Sequence, residues 1–443
     1  MSRTLSRHLP SEMALLASAE LAISFLLIDT VLVESRGYLS NPSFPPPGAS
    51  WAAVLTLGLV GVAASIGLYR SETLFDGRSL VRNATLASLA AFPIGLLLLE
   101  DSTDRDDAGR LAAVLGTWCG CVLLFRGLLR LCRDRTVVRR ILVVGRGERA
   151  DRLCALLRSP RFRRWEPVRA SSDPYCLTAS ALREQRIWAV VLACAPDSFD
   201  EGAILLESKV AGIRVLDDTT FHEAQLGRLD LDTLTPARIL TSEGFHVSRG
   251  GALARRATDL VVSSLLLLLM LPLMLVVAAL IRLESPGPVL YRQRRAGQHG
   301  VPFVLLKFRS MRQDAESGTP RWAQEGDPRV TRIGRIMRPM RIDELPQLLN
   351  VLRGDMSMVG PRPERPHFVT QLTRVIPFYD HRAAVRPGLT GWAQVNFPYG
   401  ASIEDAREKL AYDLYYVKNR TLFLDLVILF STVRVVLFRE GAR

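Results

Sequence analysis

The chain has 443 residues, a net charge of +13, a pI of about 10 and a mean hydropathy of +0.16. Its apolar residues gather in long runs before residue 130 and in one run after residue 258, which excludes a uniformly soluble protein and predicts a membrane protein with cytosolic parts. The positive charge leaves three classes of partner (nucleic acid, an anionic leaflet or phosphate-bearing substrates), and six cysteines without a CxxC pair argue against a zinc site.

The first segment, residues 1–128, is predicted to be a bundle of four transmembrane helices. Arginine-rich loops alternate with loops that are poor in basic residues, so both ends of the bundle are expected in the cytosol. Glu20 and Asp29 fall inside the first apolar stretch, where an acid can have a function, but helix packing or a position near the membrane interface is the favoured interpretation. The four stretches, each roughly long enough to cross a bilayer, are Met13–Val33, Trp51–Tyr69, Ala84–Leu99 and Leu111–Phe125.

Residues 136–245 alternate strand-like and helix-like segments and predict a Rossmann-like α/β domain with strands at Ile141–Val144, Trp188–Leu192 and Ile213–Leu216. The turn at Gly145–Ala150 has the GxGxxA form of a dinucleotide fingerprint. Glu166 has the distance expected of the acid in such a site, but it precedes the next candidate strand rather than ending it. A structural or regulatory domain is therefore favoured over a cofactor site.

Residues 258–282 form a second membrane element that contains Pro272. Arginines flank it on both sides, so both ends prefer the cytosol, which favours a re-entrant helix over one that spans the bilayer. Proline allows a sharp bend, and Ser263 is placed to satisfy backbone groups that the bend frees. We therefore predict a helix-break-helix that returns the chain to the cytosolic face.

A mainly α-helical catalytic domain is predicted over residues 251–443. Its candidate catalytic and phosphate-binding residues follow Ser285. Arg294, Lys307 and Arg309 lie among turns and a short strand, and Arg362 lies in a rigid Gly-Pro-Arg-Pro turn. Such cations match phosphate oxygens. A basic nucleic-acid binder would not account for a re-entrant helix beside the pair of acids at Asp343 and Glu344, so no nucleic-acid partner is predicted.

Asp343 and Glu344 begin an apolar helical stripe at Leu345, Leu348 and Leu352. Spacing alone fits an acidic helix start as well as a catalytic pair. An aspartate can attack phosphorus to give an acyl phosphate, and a neighbouring glutamate can hold Mg²⁺ against a diphosphate. The surrounding cations favour the catalytic interpretation.

Several ordered motifs resemble those of the bacterial sugar transferases, the monotopic polyprenyl-phosphate phosphoglycosyl transferases. The motifs are Ser-Pro-Gly-Pro at Ser285, Lys-Phe-Arg-Ser-Met at Lys307, Asp-Glu-Leu-Pro-Gln at Asp343, Val-Gly-Pro-Arg-Pro at Val359 and Arg-Pro-Gly-Leu-Thr-Gly-Trp-Ala-Gln-Val at Arg386. The four N-terminal stretches and the α/β segment resemble the large exopolysaccharide-initiating subgroup. Residues Tyr412–Asn419 and the final Gly441–Arg443 resemble its exosortase-associated branch.

The resemblance implies a ping-pong reaction in which Asp343 takes a sugar phosphate from a UDP-sugar, releases UMP and passes the sugar phosphate to undecaprenyl phosphate. It implies Mg²⁺ on Glu344, phosphate contacts from Arg362 and Arg386, a homodimer, and a multi-pass protein of the bacterial inner membrane with a cytosolic catalytic domain. Glucose is the favoured sugar. The chain departs from the family at Met340–Ile342, where members often carry Thr-Ser-Leu. A membrane-anchored regulator that senses a nucleotide through Gly145–Ala150 stays the alternative.

Overall fold

The computed structural model divides into two compact units, Met1–Gly227 and Arg228–Arg443. It describes residues 20–26, 49–68, 77–98, 106–133, 139–145, 147–159, 162, 165–170, 174–193, 202–242, 244–245, 249–312, 329–397, 400 and 402–437.

The first unit begins with long helices that coincide with three of the predicted membrane stretches. They are α1 (Ala49–Ile66), α2 (Gly77–Leu98) and α3 (Asp106–Arg133). Of the first predicted stretch, only residues 20–26 are described, and they are helical, while Asp29 lies outside the described residues. The four-helix membrane bundle stays a prediction.

Glu20 is buried among these helices, where it is paired with Arg126 of α3. Arg126 donates from Nε to Glu20 Oε1 at 2.7 Å and from Nη2 to Oε2 at 2.9 Å, and its Nη1 donates to the Leu68 carbonyl. Nearby, Trp118 Nε1 donates to Ser24 Oγ at 2.7 Å. The contacts confirm the packing interpretation of Glu20.

The rest of the first unit is an α/β layer, as predicted. Its four parallel strands lie in the order β2-β1-β3-β4, so the hydrophobic β1 is central and pairs with β2 and β3. The strands are β1 (Arg139–Val144), β2 (Trp165–Arg169), β3 (Ile187–Leu192) and β4 (Arg214–Asp217). The helices between and after them are α4 (Glu148–Arg158), α5 (Ala179–Glu184), α6 (Gly202–Val210) and α7 (Asp218–Phe221).

The glycine turn after β1 contacts an arginine, and not the acid that a dinucleotide site would have at this position. Arg169, at the end of β2, donates to the Gly145 carbonyl at 3.3 Å and to Asp151 Oδ1 at 2.8 Å. Glu166 lies within β2, 3.5 Å from Arg140. The acid that a ribose hydroxyl would need is therefore absent from the end of this described strand, which favours the structural interpretation of the domain.

The second unit contains the helices α8 (Pro236–Thr241), α9 (Arg249–Glu284), α10 (Arg332–Met337), α11 (Gln347–Arg353), α12 (Pro366–Val375), α13 (Trp392–Asn396), α14 (Ile403–Asn419) and α15 (Leu422–Leu437). An antiparallel hairpin, β5 (Leu290–Ala296) with β6 (Pro302–Phe308), and a parallel pair, β7 (Ser357–Val359) with β8 (Gly388–Thr390), complete it. The core joins apolar residues of α11, β7, α14 and α15, among them Val351, Met358, Leu414 and Ile428.

Residues 228–245, which the sequence pattern grouped with the α/β segment, pack in the second unit against α14. The Leu229 N–H donates to the Ala411 carbonyl and the Phe245 N–H to the Lys418 carbonyl, each at 3.0 Å. Arg228 forms an ion pair with Glu408. This segment is therefore part of the scaffold around the candidate site.

Helix α9 is continuous through Pro272, and this corrects the predicted helix-break-helix. Among the described residues it alone is long and apolar enough to cross a membrane. Leucine and methionine around the proline are good helix formers, so the helix tolerates the lost hydrogen bond without ending. Ser263 does not serve a break either, since its hydroxyl donates to the Asp259 carbonyl at 2.5 Å. The re-entrant placement in a bilayer stays a prediction.

Candidate active site

Asp343 and Glu344 lie on a 3-10 turn, Ile342–Glu344, that leads through Pro346 into α11. The residue before the turn, Arg341, has a φ of 53°, in the left-handed region that residues with side chains rarely adopt. The turn buries both carboxylates, which are 8% and 7% exposed. Buried carboxylates need compensating partners, and the two acids differ sharply in the partners they have.

Three cations surround Glu344. Its Oε1 accepts from Arg362 Nη2 at 2.6 Å and from Lys307 Nζ at 3.2 Å, while Arg341 Nη1 lies 3.6 Å from Oε2. Burial by itself would raise the pKa of this carboxyl, but Arg362, Lys307 and Arg341 outweigh burial and hold the pKa well below its usual range. The three cations therefore stabilise the ionised form of Glu344.

The Asp343 carboxylate, in contrast, makes no hydrogen bond or ion pair with any residue that the structure describes. Burial raises the pKa of Asp343 and the adjacent Glu344 charge raises it further, whereas Lys307 and Arg338 lower it. An unpartnered carboxylate has fewer interactions to break before an oxygen lone pair attacks an electrophile. The geometry thus distinguishes Asp343 as the candidate nucleophile from Glu344 as the fixed charge.

Asn350 holds the strand that carries Lys307 against the helix that follows the two acids. Its Oδ1 accepts from the Leu306 N–H at 3.0 Å, and its Nδ2 donates to the Val304 carbonyl at 2.8 Å and to Asp355 Oδ2 at 3.1 Å. The side chain is fully buried. Sequence analysis did not single out Asn350, although a polar residue inside an apolar helical stripe is a signal that could have found it.

The backbone around Arg362 is fixed by close packing of glycines. The Gly360 N–H donates to the Thr390 carbonyl at 2.8 Å, and the Gly388 N–H donates to the Pro361 carbonyl at 3.0 Å. A Cβ at Gly360 would lie 2.4 Å from the Arg386 carbonyl oxygen, so the two segments approach too closely for any larger residue. This packing aims the guanidinium of Arg362 at Glu344, as the predicted rigid turn requires.

Arg309, predicted as a phosphate ligand, has a structural position instead. Its guanidinium is buried and donates to the carbonyls of Pro286 at 2.7 Å and Ser285 at 2.7 Å, to Ser285 Oγ at 3.0 Å and to the Ile281 carbonyl at 3.3 Å. It therefore fastens the end of α9 to the Ser-Pro-Gly-Pro turn. These acceptors occupy both Nη atoms of Arg309, and the contact of Arg309 with a phosphate stays a prediction.

Arg294 and Arg386 are also not brought onto Glu344. Arg294 is exposed on the face of the hairpin opposite to Lys307, because side chains alternate along β5. Its neighbour Arg295 shares the face of Lys307 and donates to the Pro363 carbonyl at 3.0 Å. Arg386 is half-buried and within electrostatic range of Asp259. Arg338 and Arg341 are cations near the acids that the prediction did not include, and Arg295 lies within electrostatic range of Lys307.

The donor set fits a Mg²⁺ ion that is shared with a substrate. Glu344 Oε2 has only the long contact to Arg341, and the Asp343 oxygens have no partner among the described residues, so hard oxygen donors are present. In the described ranges, no group of three or more His, Cys, Asp or Glu side chains is arranged so that it could hold a metal ion by itself. Mg²⁺ commonly uses one or two carboxylates and takes its other ligands from phosphates and water.

Residues 251–439 match the model of a family described as bacterial sugar transferase. An Aeromonas hydrophila protein named UDP-N-acetylgalactosamine-undecaprenyl-phosphate N-acetylgalactosaminephosphotransferase is 47% identical over 222 residues, which are 50% of this chain and 49% of that one. A Caulobacter vibrioides protein named UDP-glucose:undecaprenyl-phosphate glucose-1-phosphate transferase is 47% identical over 192 residues, or 43% of this chain and 72% of that one.

A Komagataeibacter xylinus protein named undecaprenyl-phosphate glucose phosphotransferase is 32% identical over 326 residues, which cover 70% of this chain and 61% of that one. The chain thus spans about half the length of the Aeromonas relative and more of the other two. The similarity includes the Asp343–Glu344 turn and its cations, since all lie within the matched residues. The chain belongs to the bacterial sugar transferase family.

Proposed function

We propose that the chain transfers a sugar 1-phosphate from a UDP-sugar to undecaprenyl phosphate, giving undecaprenyl-diphosphate-sugar and UMP as the first step of exopolysaccharide synthesis. The observation that carries the proposal is the contrast between an unpartnered, buried Asp343 and a Glu344 held by three cations. The names of the relatives support the substrate class.

In the first half-reaction, an Asp343 oxygen attacks the phosphorus that carries the sugar. A bond forms between that oxygen and phosphorus, and the bond to the bridging oxygen of the diphosphate breaks. UMP leaves with the electron pair of the broken bond. Lys307 and Arg362 lie where they can neutralise the charge that develops on the phosphates, because both already contact the neighbouring carboxylate.

In the second half-reaction, a phosphate oxygen of undecaprenyl phosphate attacks the same phosphorus. The acyl phosphate bond breaks and Asp343 returns to its carboxylate form. When bound at Glu344, Mg²⁺ would supply charge neutralisation of the diphosphate. The exposed apolar side chains of α9, such as Leu265, Leu268 and Leu275, support attachment to the cytosolic face of the bacterial inner membrane, where the lipid phosphate lies.

Glucose is the proposed sugar, since two of the relatives described above carry glucose in their names, while the Aeromonas relative carries N-acetylgalactosamine. A homodimer is proposed from the family resemblance. The exosortase-associated branch is proposed on the same ground.

The test is a membrane assay with radiolabelled UDP-glucose, UDP-galactose, UDP-N-acetylglucosamine and UDP-N-acetylgalactosamine, with undecaprenyl phosphate as acceptor. UMP release and a labelled lipid are expected with at least one donor, and most with UDP-glucose. The absence of a labelled lipid with every donor would overturn the proposed activity. A labelled lipid made only from an N-acetylated donor would replace glucose and leave the reaction in place.

A further inference from the structure

Two amide side chains are buried on α11, one turn apart. Gln347 is 3% exposed and Asn350 is fully buried. Asn350 accepts from the Leu306 N–H, and its Nδ2 donates to the Val304 carbonyl and to Asp355. The Nε2 of Gln347, in contrast, has no hydrogen-bond partner among the residues that the structure describes. One amide therefore belongs to the scaffold, and the other has donors that the scaffold does not use.

An amide that is buried without a partner lowers stability, because its hydrogen bonds to water are lost on folding and are not replaced. Nearly all buried polar groups of native proteins have partners, so an exception needs a reason. Leu348 and Val351, two other buried residues of α11, are apolar. An apolar side chain in place of Gln347 would avoid the cost, so the amide indicates a partner that arrives with the substrate.

Gln347 lies on the helical face of the two acids. The backbone is helical through the turn Ile342–Glu344, and the next two residues keep right-handed helical angles up to Gln347. Gln347 follows Asp343 by four residues and Glu344 by three. Side chains at these separations are neighbours on one face of a helix. The amide is therefore on the same side as both carboxylates.

The strand β6 runs along this face. Lys307 contacts Glu344 through its side chain. The Leu306 N–H, one residue earlier on the strand, donates to Asn350. Gln347 lies midway between Glu344 and Asn350 in sequence, three residues from each, and it is buried. Its amide is therefore enclosed between the scaffold bonds of Asn350 and the charged cluster that would receive the phosphates.

The transferred phosphoryl group supplies the acceptor that the amide lacks. As an Asp343 oxygen bonds to phosphorus and the bridging oxygen leaves with its electron pair, negative charge lies on the non-bridging oxygens. Lys307 and Arg362 contact Glu344 and provide fixed positive charge. A neutral amide N–H can donate to one of these oxygens without changing the balance of charge.

We infer that Gln347 is a catalytic hydrogen-bond donor, whose Nε2 donates to a non-bridging oxygen of the sugar phosphate as this group passes to and from Asp343. The inference rests on the proposed function, because that function supplies the transferred group. An interaction that forms only with the phosphoryl group in transit accelerates the reaction without strengthening substrate binding. The effect of Gln347 should therefore be on kcat.

The test is Gln347→Met, which keeps an unbranched side chain and removes the donor. UMP release and the transfer of the sugar phosphate to undecaprenyl phosphate are each followed in a single turnover. Both steps should slow by about 10²–10³-fold, while the KM for the UDP-sugar changes little. The matched control is Gln371→Met, at an exposed glutamine of α12, which should keep the wild-type rates.

Thermal unfolding distinguishes this role from a structural one. Gln347→Met should keep or raise the unfolding midpoint, because it removes an amide that is buried without a partner. Asn350→Leu, on the same helix, should lower the midpoint, because it leaves the Leu306 N–H and the Val304 carbonyl without partners. The affinity for UMP, which lacks the transferred phosphate, should be unchanged in Gln347→Met.

A second variant, Gln347→Glu, keeps the shape of the side chain. Its carboxylate cannot donate and repels phosphate oxygens, so both steps should slow at least as much as in Gln347→Met. It carries the test if the methionine variant does not fold.

Wild-type rates in Gln347→Met or Gln347→Glu would overturn the inference and leave the proposed function standing. A slowed Gln347→Met protein with a lower unfolding midpoint and weaker UMP binding would show a structural role and would also overturn it. A raised KM with unchanged kcat would assign Gln347 to substrate binding instead. A folded wild-type protein that releases no UMP from any UDP-sugar would refute the proposed function, and the inference with it.

Discussion

Two regions of the chain bury charged side chains, and they do so in opposite ways. In the first unit, Glu20 and Arg126 form a balanced pair in which both carboxylate oxygens and three guanidinium nitrogens have partners. In the second unit, Asp343 and Glu344 lie among Lys307, Arg341 and Arg362, with positive charge in excess and with Asp343 unpartnered among the described residues.

This difference distinguishes a structural ion pair from a ligand-binding site. In a balanced pair each charge offsets part of the desolvation cost of the other, and no net charge remains to attract a ligand. An unbalanced group is stable in the interior only as part of a larger fixed network, and it gains most when an anionic ligand arrives. Burial of charge therefore identifies a functional site only when the partners fail to cancel.

The largest expected effect comes from removing the unpartnered carboxylate. Asp343→Asn keeps the shape of the side chain but removes its nucleophilic oxygen, so turnover should fall at least ~10³-fold. UMP release and the mass of a phosphosugar adduct measure the loss. Glu404→Gln, at an exposed acid of α14, is the control and should be fully active. A fully active Asp343→Asn protein would place the nucleophile elsewhere.

The second prediction concerns the balanced pair. Arg126→Met leaves Glu20 buried without its partner, which should lower the free energy of unfolding by about 3–5 kcal/mol. Denaturant titration in detergent measures the change. The double variant Glu20→Gln/Arg126→Met should recover part of it. Turnover per folded molecule should not change, and a loss of turnover at unchanged stability would show that the pair has a role in the reaction.

The third prediction compares two arginines that the sequence analysis treated alike. Arg309→Met removes hydrogen bonds to the turn after α9, so the free energy of unfolding should fall by about 2 kcal/mol with the KM for the UDP-sugar unchanged. Arg362→Met, at a partly exposed residue, should raise that KM with a smaller effect on stability. The reverse result would return Arg309 to the phosphate site.

The smallest expected effect is a shift in pH dependence. Asp343 must be ionised to attack, and burial and Glu344 raise its pKa above the usual 3.8, so activity should be lost as pH falls through that raised pKa. Arg338 lowers the pKa of Asp343, so Arg338→Gln should move the acid limb of kcat/KM to higher pH. Arg335→Gln, at an exposed arginine of α10, the helix that ends at Arg338, should leave the acid limb in place. A shift to lower pH would contradict the assignment.

The sequence predicted the features that depend on local pattern. Continuous apolar runs predicted β1, β3 and β4 to within a residue or two at each end, and the apolar stripe after Asp343 became a helix whose Leu348 is buried in the core. The predicted break at Pro272 is not observed, because α9 continues through the proline among leucines and methionines that favour a helix.

The family motifs, the pair of acids at Asp343 and Glu344 and the surplus of arginines in the same segment could all be identified from the sequence alone. The sequence could not determine which arginine serves which purpose, because a guanidinium can donate to carbonyl, carboxylate and phosphate oxygens alike. Alternation along β5 predicts that Arg294 and Arg295 point to opposite faces, but only the tertiary structure shows which face meets Glu344. Only the fold could place Arg309 among carbonyls and bring Lys307 and Arg362 to Glu344, since these contacts join residues that are far apart in the chain. The fold also leaves Asp343 without a partner among the described residues.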